Sequence, residues 1–119
     1  MEEQRRFVRL ATSIAIHYTI TDSSARGTAP KMSAEISGGG VRFATGQRLP
    51  PGTQLELQLT LPGESTPVQA KGEVVWSGRF GHHRPYETGI RFTEIDPIQR
   101  GRMIRVIHDT LKARRLLSP

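Results

Sequence analysis

Hydrophobic and polar residues alternate along most of the chain, which predicts short β-strands with one buried face. The alternation is cleanest over residues 55–61, where leucine occupies every second position. Glycine- and proline-containing polar stretches interrupt the pattern, and one of them, residues 21–30, is predicted to be a loop. The predicted strands cover residues 14–20, 31–36, 41–43, 55–61, 68–76 and 90–92.

After residue 95 the hydrophobic period changes from two to that of an α-helix. Asp96 is placed to cap the helix N-terminus, and Pro97 suits its first turn. Apolar residues then recur at helical spacing up to Leu111, with basic residues on the other faces. The sequence therefore predicts an amphipathic C-terminal helix over residues 96–115.

Several short strands followed by one helix predict an all-β fold, a small antiparallel β-barrel whose open end or face the helix covers. The length of 119 residues fits a single domain. Only 35% of the residues are hydrophobic and the mean hydropathy is -0.43, so the core is expected to be small.

The charge balance points to an anionic partner. The net charge is +6, and arginine far outnumbers lysine. Arginine binds phosphates through a planar fork and stacks on flat rings. A nucleotide, a nucleic acid and an acidic protein all fit this balance, and so does a basic surface that is merely solvated.

The sequence gives little support for a secreted protein, a membrane protein, an enzyme or a metal-binding protein. The chain contains no cysteine, its N-terminus has no signal-peptide pattern, and no apolar run is long enough to cross a bilayer. We therefore expect a cytoplasmic protein that does not insert into membranes. No spacing suggests a catalytic triad, and the adjacent histidines 82 and 83 are not placed to share a metal ion, so neither an enzyme nor a metal site nor a cofactor is expected.

Two short stretches contain candidate binding residues. Arg5, Arg6 and Arg9 precede the first strand, and their guanidinium groups suit phosphates or the O6 and N7 edge of guanine. The stretch EISGGG, residues 35–40, places a carboxylate and a hydroxyl before three glycines. The glycines allow close approach of the main chain and could direct N–H groups at an anion, although a simple glycine-rich turn also explains them.

Together these stretches resemble the PilZ domain family. Arg5 and Arg9 have the spacing of its RxxxR motif, residues 35–40 resemble its [D/N]xSxxG turn, and the segments GEVVW (72–76) and GIRF (89–92) follow in order. The resemblance runs over nearly the whole chain. It implies one domain, residues 1–119, with a flexible arm at 1–10, a six-stranded barrel at 11–95 and the helix at 96–115.

The resemblance also implies a receptor for the bacterial second messenger cyclic di-GMP. Arg5 and Arg9, helped by Arg6, would clasp phosphates and guanine edges, and Trp76 would lie against a guanine unless it belongs to the core. Glu35 stands where the family usually has Asp or Asn, one methylene longer with the same acceptor chemistry. The implied ligand-binding residues are Arg5, Arg6, Arg9, Glu35, Ser37, Gly39, Gly40 and Trp76.

Because the sequence shows no output domain, the implied receptor would order its arm on ligand binding and signal in trans to an unidentified protein partner, in motility, exopolysaccharide or virulence control. One alternative is a ligand-independent adaptor that keeps the barrel and contacts only proteins. A basic barrel that binds nucleic acid is a weaker alternative, since only 6% of residues are aromatic and no strand shows clustered aromatics.

Overall fold

A computed structural model of the chain describes residues 7–21, 26–79, 81, 82 and 84–117, and of residues 26–33 the backbone alone. Six β-strands precede one α-helix. The elements are β1 (Leu10–Ile20), β2 (Arg26–Ser37), β3 (Gly40–Thr45), β4 (Gln54–Thr60), β5 (Val68–Gly78), β6 (Tyr86–Ile95) and α1 (Pro97–Leu117). No helix in these ranges is long and apolar enough to cross a membrane.

The six strands form a closed antiparallel barrel in the order β1-β2-β3-β6-β5-β4. Closure comes from β1, which pairs with β2 on one side and with β4 on the other. The predicted all-β barrel of six antiparallel strands with a C-terminal helix is therefore confirmed.

Alternate residues of each strand point into the barrel and fill it with aliphatic side chains. In β4, Leu55, Leu57 and Leu59 are almost completely buried, while the residues between them are exposed. The buried ring of Phe43 packs against Tyr18, with the two ring centroids 5.8 Å apart. Burial raises the pKa of the Tyr18 phenol. The barrel interior is thus occupied by the protein's own core.

Helix α1 closes the barrel end at which β1 begins and β2 ends. Met103 and Ile107 point from the helix into the core. Arg102 donates to the Glu64 carboxylate at 2.9 Å and to the carbonyl of Thr66, both in the β4–β5 connection. Near the other end of the helix, Arg114 donates to the Ala11 carbonyl of β1 at 2.8 Å. The helix is therefore attached to opposite sides of the same opening.

The predicted cap of this helix is confirmed. One carboxylate oxygen of Asp96 accepts the backbone N–H groups of Ile98 at 3.0 Å and Gln99 at 3.2 Å. These are N–H groups of the first helical turn, which have no carbonyl partner within the helix.

The prediction of a loop over residues 21–30 was wrong for residues 26–30, which belong to β2. The backbone of this segment pairs with the far half of β1, as in the partners Tyr18 and Gly27. Small and polar residues made the segment look like a loop, but pairing with a strand already fixed in the barrel outweighs this weak local preference.

The opposite end of the barrel contains a buried hydroxyl network. The Thr88 hydroxyl lies 2.9 Å from that of Thr45 and 2.8 Å from that of Ser77. Ser77 in turn accepts the N–H of Leu49, whose side chain is buried. The network joins β3, β5 and β6 to the connection that leads into β4.

We expect Thr88→Val to lower the free energy of unfolding by about 1–2 kcal/mol, because it removes a buried hydroxyl and leaves two others with one partner fewer. The measurement is urea unfolding followed by circular dichroism. Thr93→Val, at an exposed position of the same strand, is the matched control and should leave stability nearly unchanged. Equal losses in the two variants would contradict a specific role for the network.

Candidate ligand-binding site

Four residues form a row across the outer surface of the barrel. Strand register places Glu35 of β2 opposite Arg42 of β3, Arg42 opposite Gly89 of β6, and Gly89 opposite Trp76 of β5. Glu35, Arg42 and Gly89 alternate with buried neighbours, among them Ile36, Val41 and Ile90, and therefore face outward. Trp76 is itself exposed on the outer surface. We call Glu35, Arg42, Gly89 and Trp76 the outer row.

Charged side chains of opposite sign alternate at one end of this row. Arg9, just before β1, places a guanidinium nitrogen 3.5 Å from one carboxylate oxygen of Glu35. Arg42 lies 3.7 Å from the other oxygen of Glu35 and 3.9 Å from the carboxylate of Glu87. These four formal charges sum to zero. Arg9 and Arg42 are 39% and 45% exposed, so solvent screens the pairs and each stabilises the fold by at most about 1 kcal/mol.

Ser37 holds the turn between β2 and β3 together. Its hydroxyl accepts the N–H of Gly39 at 3.1 Å and donates to the carbonyl of Gly40 at 3.5 Å. The carbonyl of Gly39 accepts the N–H of Phe92 from β6 at 2.9 Å. Both polar backbone groups of Gly39 are therefore used inside the protein, and this N–H is not directed at an anion.

The glycines of this turn are explained by close packing. None of them has a positive φ. A Cβ on Gly40 would lie 2.2 Å from the carbonyl oxygen of Ile90, which is backbone and cannot swing aside. A Cβ on Gly38 would lie 2.7 Å from the ring of Phe7. Gly40 thus lets β3 approach β6, while Gly38 leaves room for a side chain from the segment before β1.

Phe7 packs between this turn and helix α1. Its ring lies against Gly38 and Gly39, and Ile104 of α1 borders the same space. The Arg100 guanidinium is 5.6 Å from the centre of the Phe7 ring, and its Nε donates to the Gly38 carbonyl at 3.0 Å. Phe7 therefore connects the segment that carries Arg9 to both the turn and the helix.

Trp76 is 39% exposed and lies on the outside of the barrel. The interpretation that placed it in the core is wrong, because the register between β5 and β6 shifts between Val74 and Trp76. This bulge reverses the inward and outward alternation, so that Val75 and Trp76 are both exposed. The indole covers Gly89, where a Cβ would lie only 2.5 Å from Nε1.

The structure brings Arg9 and Glu35 into contact and places Ser37, Gly39 and Gly40 in the adjoining turn. Trp76 lies on the same outer surface, two strands from Arg42. Arg5 and Arg6 lie outside the described residues, and their contribution stays a prediction.

Sequence reasoning missed Phe7, Arg42 and Gly89. A signal for Arg42 was present, since a two-residue turn after Ser37 pairs Ser37 with Gly40 and so Glu35 with Arg42. Among the described residues no group of three or more His, Asp or Glu side chains is placed to hold a metal ion.

A sequence profile of the PilZ domain matches residues 3–109 of this chain. The match covers most of the chain. The chain belongs to the PilZ domain family.

Solved structures of PilZ proteins share this fold. The Bacillus subtilis inhibitor of motility MotI/DgrA superimposes with a TM-score of 0.78 at 14% identity, over 92% of this chain and 52% of its own. This chain therefore spans about half the length of MotI. A pathogenic protein from Xanthomonas campestris, described as a tetrameric PilZ domain assembled through a helical bundle, gives 0.72 at 12% identity over 95% and 90%.

The PilZ domain of YcgR from Escherichia coli, solved with c-di-GMP, gives a TM-score of 0.70 at 12% identity over 94% of this chain and 95% of that chain. At such low identities these similarities establish the fold. No curated protein sequence matches the chain.

We expect Gly40→Ala to lower the free energy of unfolding by about 1–3 kcal/mol, because the new methyl group forces β3 away from the Ile90 carbonyl. Thermal and urea unfolding measure the loss. Gly46→Ala is the matched control, since a Cβ there meets nothing within 4 Å. If Gly40→Ala is as stable as Gly46→Ala, the close approach is not what requires glycine at position 40.

Proposed function

We propose that this protein is a cyclic di-GMP receptor that binds its ligand on the outer surface formed by Arg9, Ser37 and the outer row. The main observation behind this proposal is that Arg9, Glu35 and Trp76 lie on one outer face of the barrel. They come from three different parts of the chain. Family membership and the YcgR PilZ domain solved with c-di-GMP support the same ligand.

Each side chain has a chemical role in this proposal. The ligand combines two phosphates, which suit arginine, with two guanines, which have N1 and N2 donors for a carboxylate. Arg9 leaves Glu35 and pairs with a phosphate, joined by Arg5 and Arg6 of the same segment. The freed carboxylate oxygen of Glu35 then accepts from a guanine. Because the Arg9–Glu35 pair is exposed and 3.5 Å long, exchanging it costs little.

Ser37, Gly39 and Gly40 shape the surface beneath the ligand. Ser37 fixes the turn, and the glycines add no side chains of their own to it. Trp76 offers an exposed aromatic surface on which one base stacks, a contact worth roughly 1–3 kcal/mol. The barrel interior has no part in binding because the hydrophobic core fills it.

Ligand binding would move the segment before β1 and so alter the surface that a partner meets. Arg9 follows Phe7 by two residues, and Phe7 contacts the N-terminal part of α1 through Arg100 and Ile104. We propose that the protein acts in the cytoplasm without catalytic activity and signals in trans to a protein partner through this surface. Motility control is one such output, by analogy with the B. subtilis inhibitor of motility.

We expect the wild-type protein to bind cyclic di-GMP in isothermal titration calorimetry, and Arg9→Ala to weaken binding at least about tenfold, since a charge-assisted hydrogen bond contributes roughly 1.5–3 kcal/mol. GTP and GMP serve as ligand controls. Arg105→Ala, which removes an exposed arginine of α1, is the matched charge control and should bind like the wild type.

Absence of binding by the wild-type protein would contradict the receptor proposal and leave the ligand-independent adaptor as the better one. Equal losses of affinity in Arg9→Ala and Arg105→Ala would show attraction by net charge alone. The stoichiometry distinguishes one bound ligand from two.

Trp76 is the single tryptophan of the chain, so its fluorescence reports on the proposed stacking directly. We expect cyclic di-GMP to quench the emission, and Trp76→Ala to weaken binding by about 1–3 kcal/mol in calorimetry. Val75→Ala, at the neighbouring exposed position of the same bulge, is the matched control and should change affinity less than twofold. Binding without any change in Trp76 emission would exclude stacking on the indole.

A further inference from the structure

Arg42 lies inside the proposed site but outside the motif residues. It occupies the outer row between Glu35 and Gly89, with Trp76 on the strand beyond. Its side chain is 45% exposed, and its guanidinium lies 3.7 Å and 3.9 Å from its two carboxylate partners. The neighbouring Arg91, by contrast, holds Glu73 at 2.6 Å. Arg42 is thus the more loosely held of these two arginines and the better placed to turn towards a ligand.

The charges around Arg42 select the kind of group that it can bind. Glu35 and Glu87 both lie within 4 Å of its guanidinium, so this part of the surface already contains two negative charges. A phosphate placed here would be repelled by both carboxylates. A neutral base meets no such repulsion. Glu35 also contacts Arg9, but Glu87 adds a second carboxylate beside Arg42, so the position next to Arg42 favours a base over a phosphate.

Trp76 defines where that base lies. The indole rests on Gly89, and Gly89 is the register partner of Arg42. Arg42 and Trp76 are therefore two strand spacings apart, about 10 Å between backbones. Because residue 89 is glycine, the position of β6 that lies between them contributes no side chain. A base stacked on the indole presents one edge towards β3, within the reach of the long Arg42 side chain.

We propose that Arg42 recognises the O6 and N7 edge of the guanine that stacks on Trp76, and that it thereby selects guanine over adenine. The inference rests on the proposed function. Arginine donates two parallel hydrogen bonds to the O6 and N7 acceptors of guanine. Adenine carries an amino group in place of O6, so the same guanidinium would face a donor. Glu35 suits the N1 and N2 donors of a guanine, whereas Arg42 suits the O6 and N7 acceptors, which lie along a different edge of the base.

The test compares cyclic di-GMP with cyclic di-AMP in wild-type protein, Arg42→Ala and Arg42→Gln, with Trp76 fluorescence and calorimetry as readouts. We expect wild type to prefer cyclic di-GMP, and Arg42→Ala to reduce that preference roughly ten- to hundredfold. Glutamine pairs with the N6 and N7 edge of adenine. Arg42→Gln should therefore bind cyclic di-AMP more tightly than Arg42→Ala does. Quenching of Trp76 should persist at saturation in both variants.

A purely structural role for Arg42 predicts something else. Loss of Arg42 frees one oxygen of Glu35, which alone would strengthen the preference for guanine. An unchanged or increased preference in Arg42→Ala therefore overturns the inference while wild-type binding leaves the receptor proposal intact. No binding of either nucleotide by wild type overturns both. Arg105→Gln controls for the change in net charge, and thermal unfolding confirms that each variant is folded.

Discussion

The pairing of β1 with β4 closes the sheet on itself, and the rest of the molecule follows from this closure. With β1 bonded on both sides, none of the six strands is left as an open edge. Apolar side chains such as those of Leu57 and Phe43 fill the barrel interior. Side chains that can contact another molecule therefore lie on the outside of the barrel, at strand positions whose side chains point away from the core. The outer row is such a set, because register aligns it across four strands.

The connection between this outer surface and the helix depends on missing side chains. Gly40 brings β3 close to β6, and Gly38 leaves a hollow that the Phe7 ring enters. Arg100 then joins the helix to both the ring and the turn. Three consecutive glycines cost conformational entropy on folding. The absence of side chains at these positions lets the turn contact both the segment before β1 and the first turns of α1.

The sequence predicts the barrel, the helix and its cap because these depend on local periodicity and on a local hydrogen bond, such as that of Asp96. It also predicts the neighbourhood of Arg9 and Glu35 through the motif. Trp76 shows where local pattern fails, since the identities in β5 keep alternating while one extra residue at Val75 reverses the facing. Contacts of Phe7 with a turn and a helix far along the chain have no local signal at all. The prediction for the beginning of β2 fails for a related reason, because pairing with β1 determines the conformation of this segment.

Phe7 and Arg9, which are two residues apart, are held in place by different kinds of contact. Phe7 is held by apolar contact with the hollow at Gly38 and with Ile104, and apolar contact changes little with ionic strength. Arg9 is held by an exposed ion pair, which added salt weakens. Added salt therefore hardly affects the contact of Phe7 but weakens the ion pair of Arg9, two residues away. Salt would accordingly weaken the contact of Arg9 with Glu35 while Phe7 still holds the segment beside the turn.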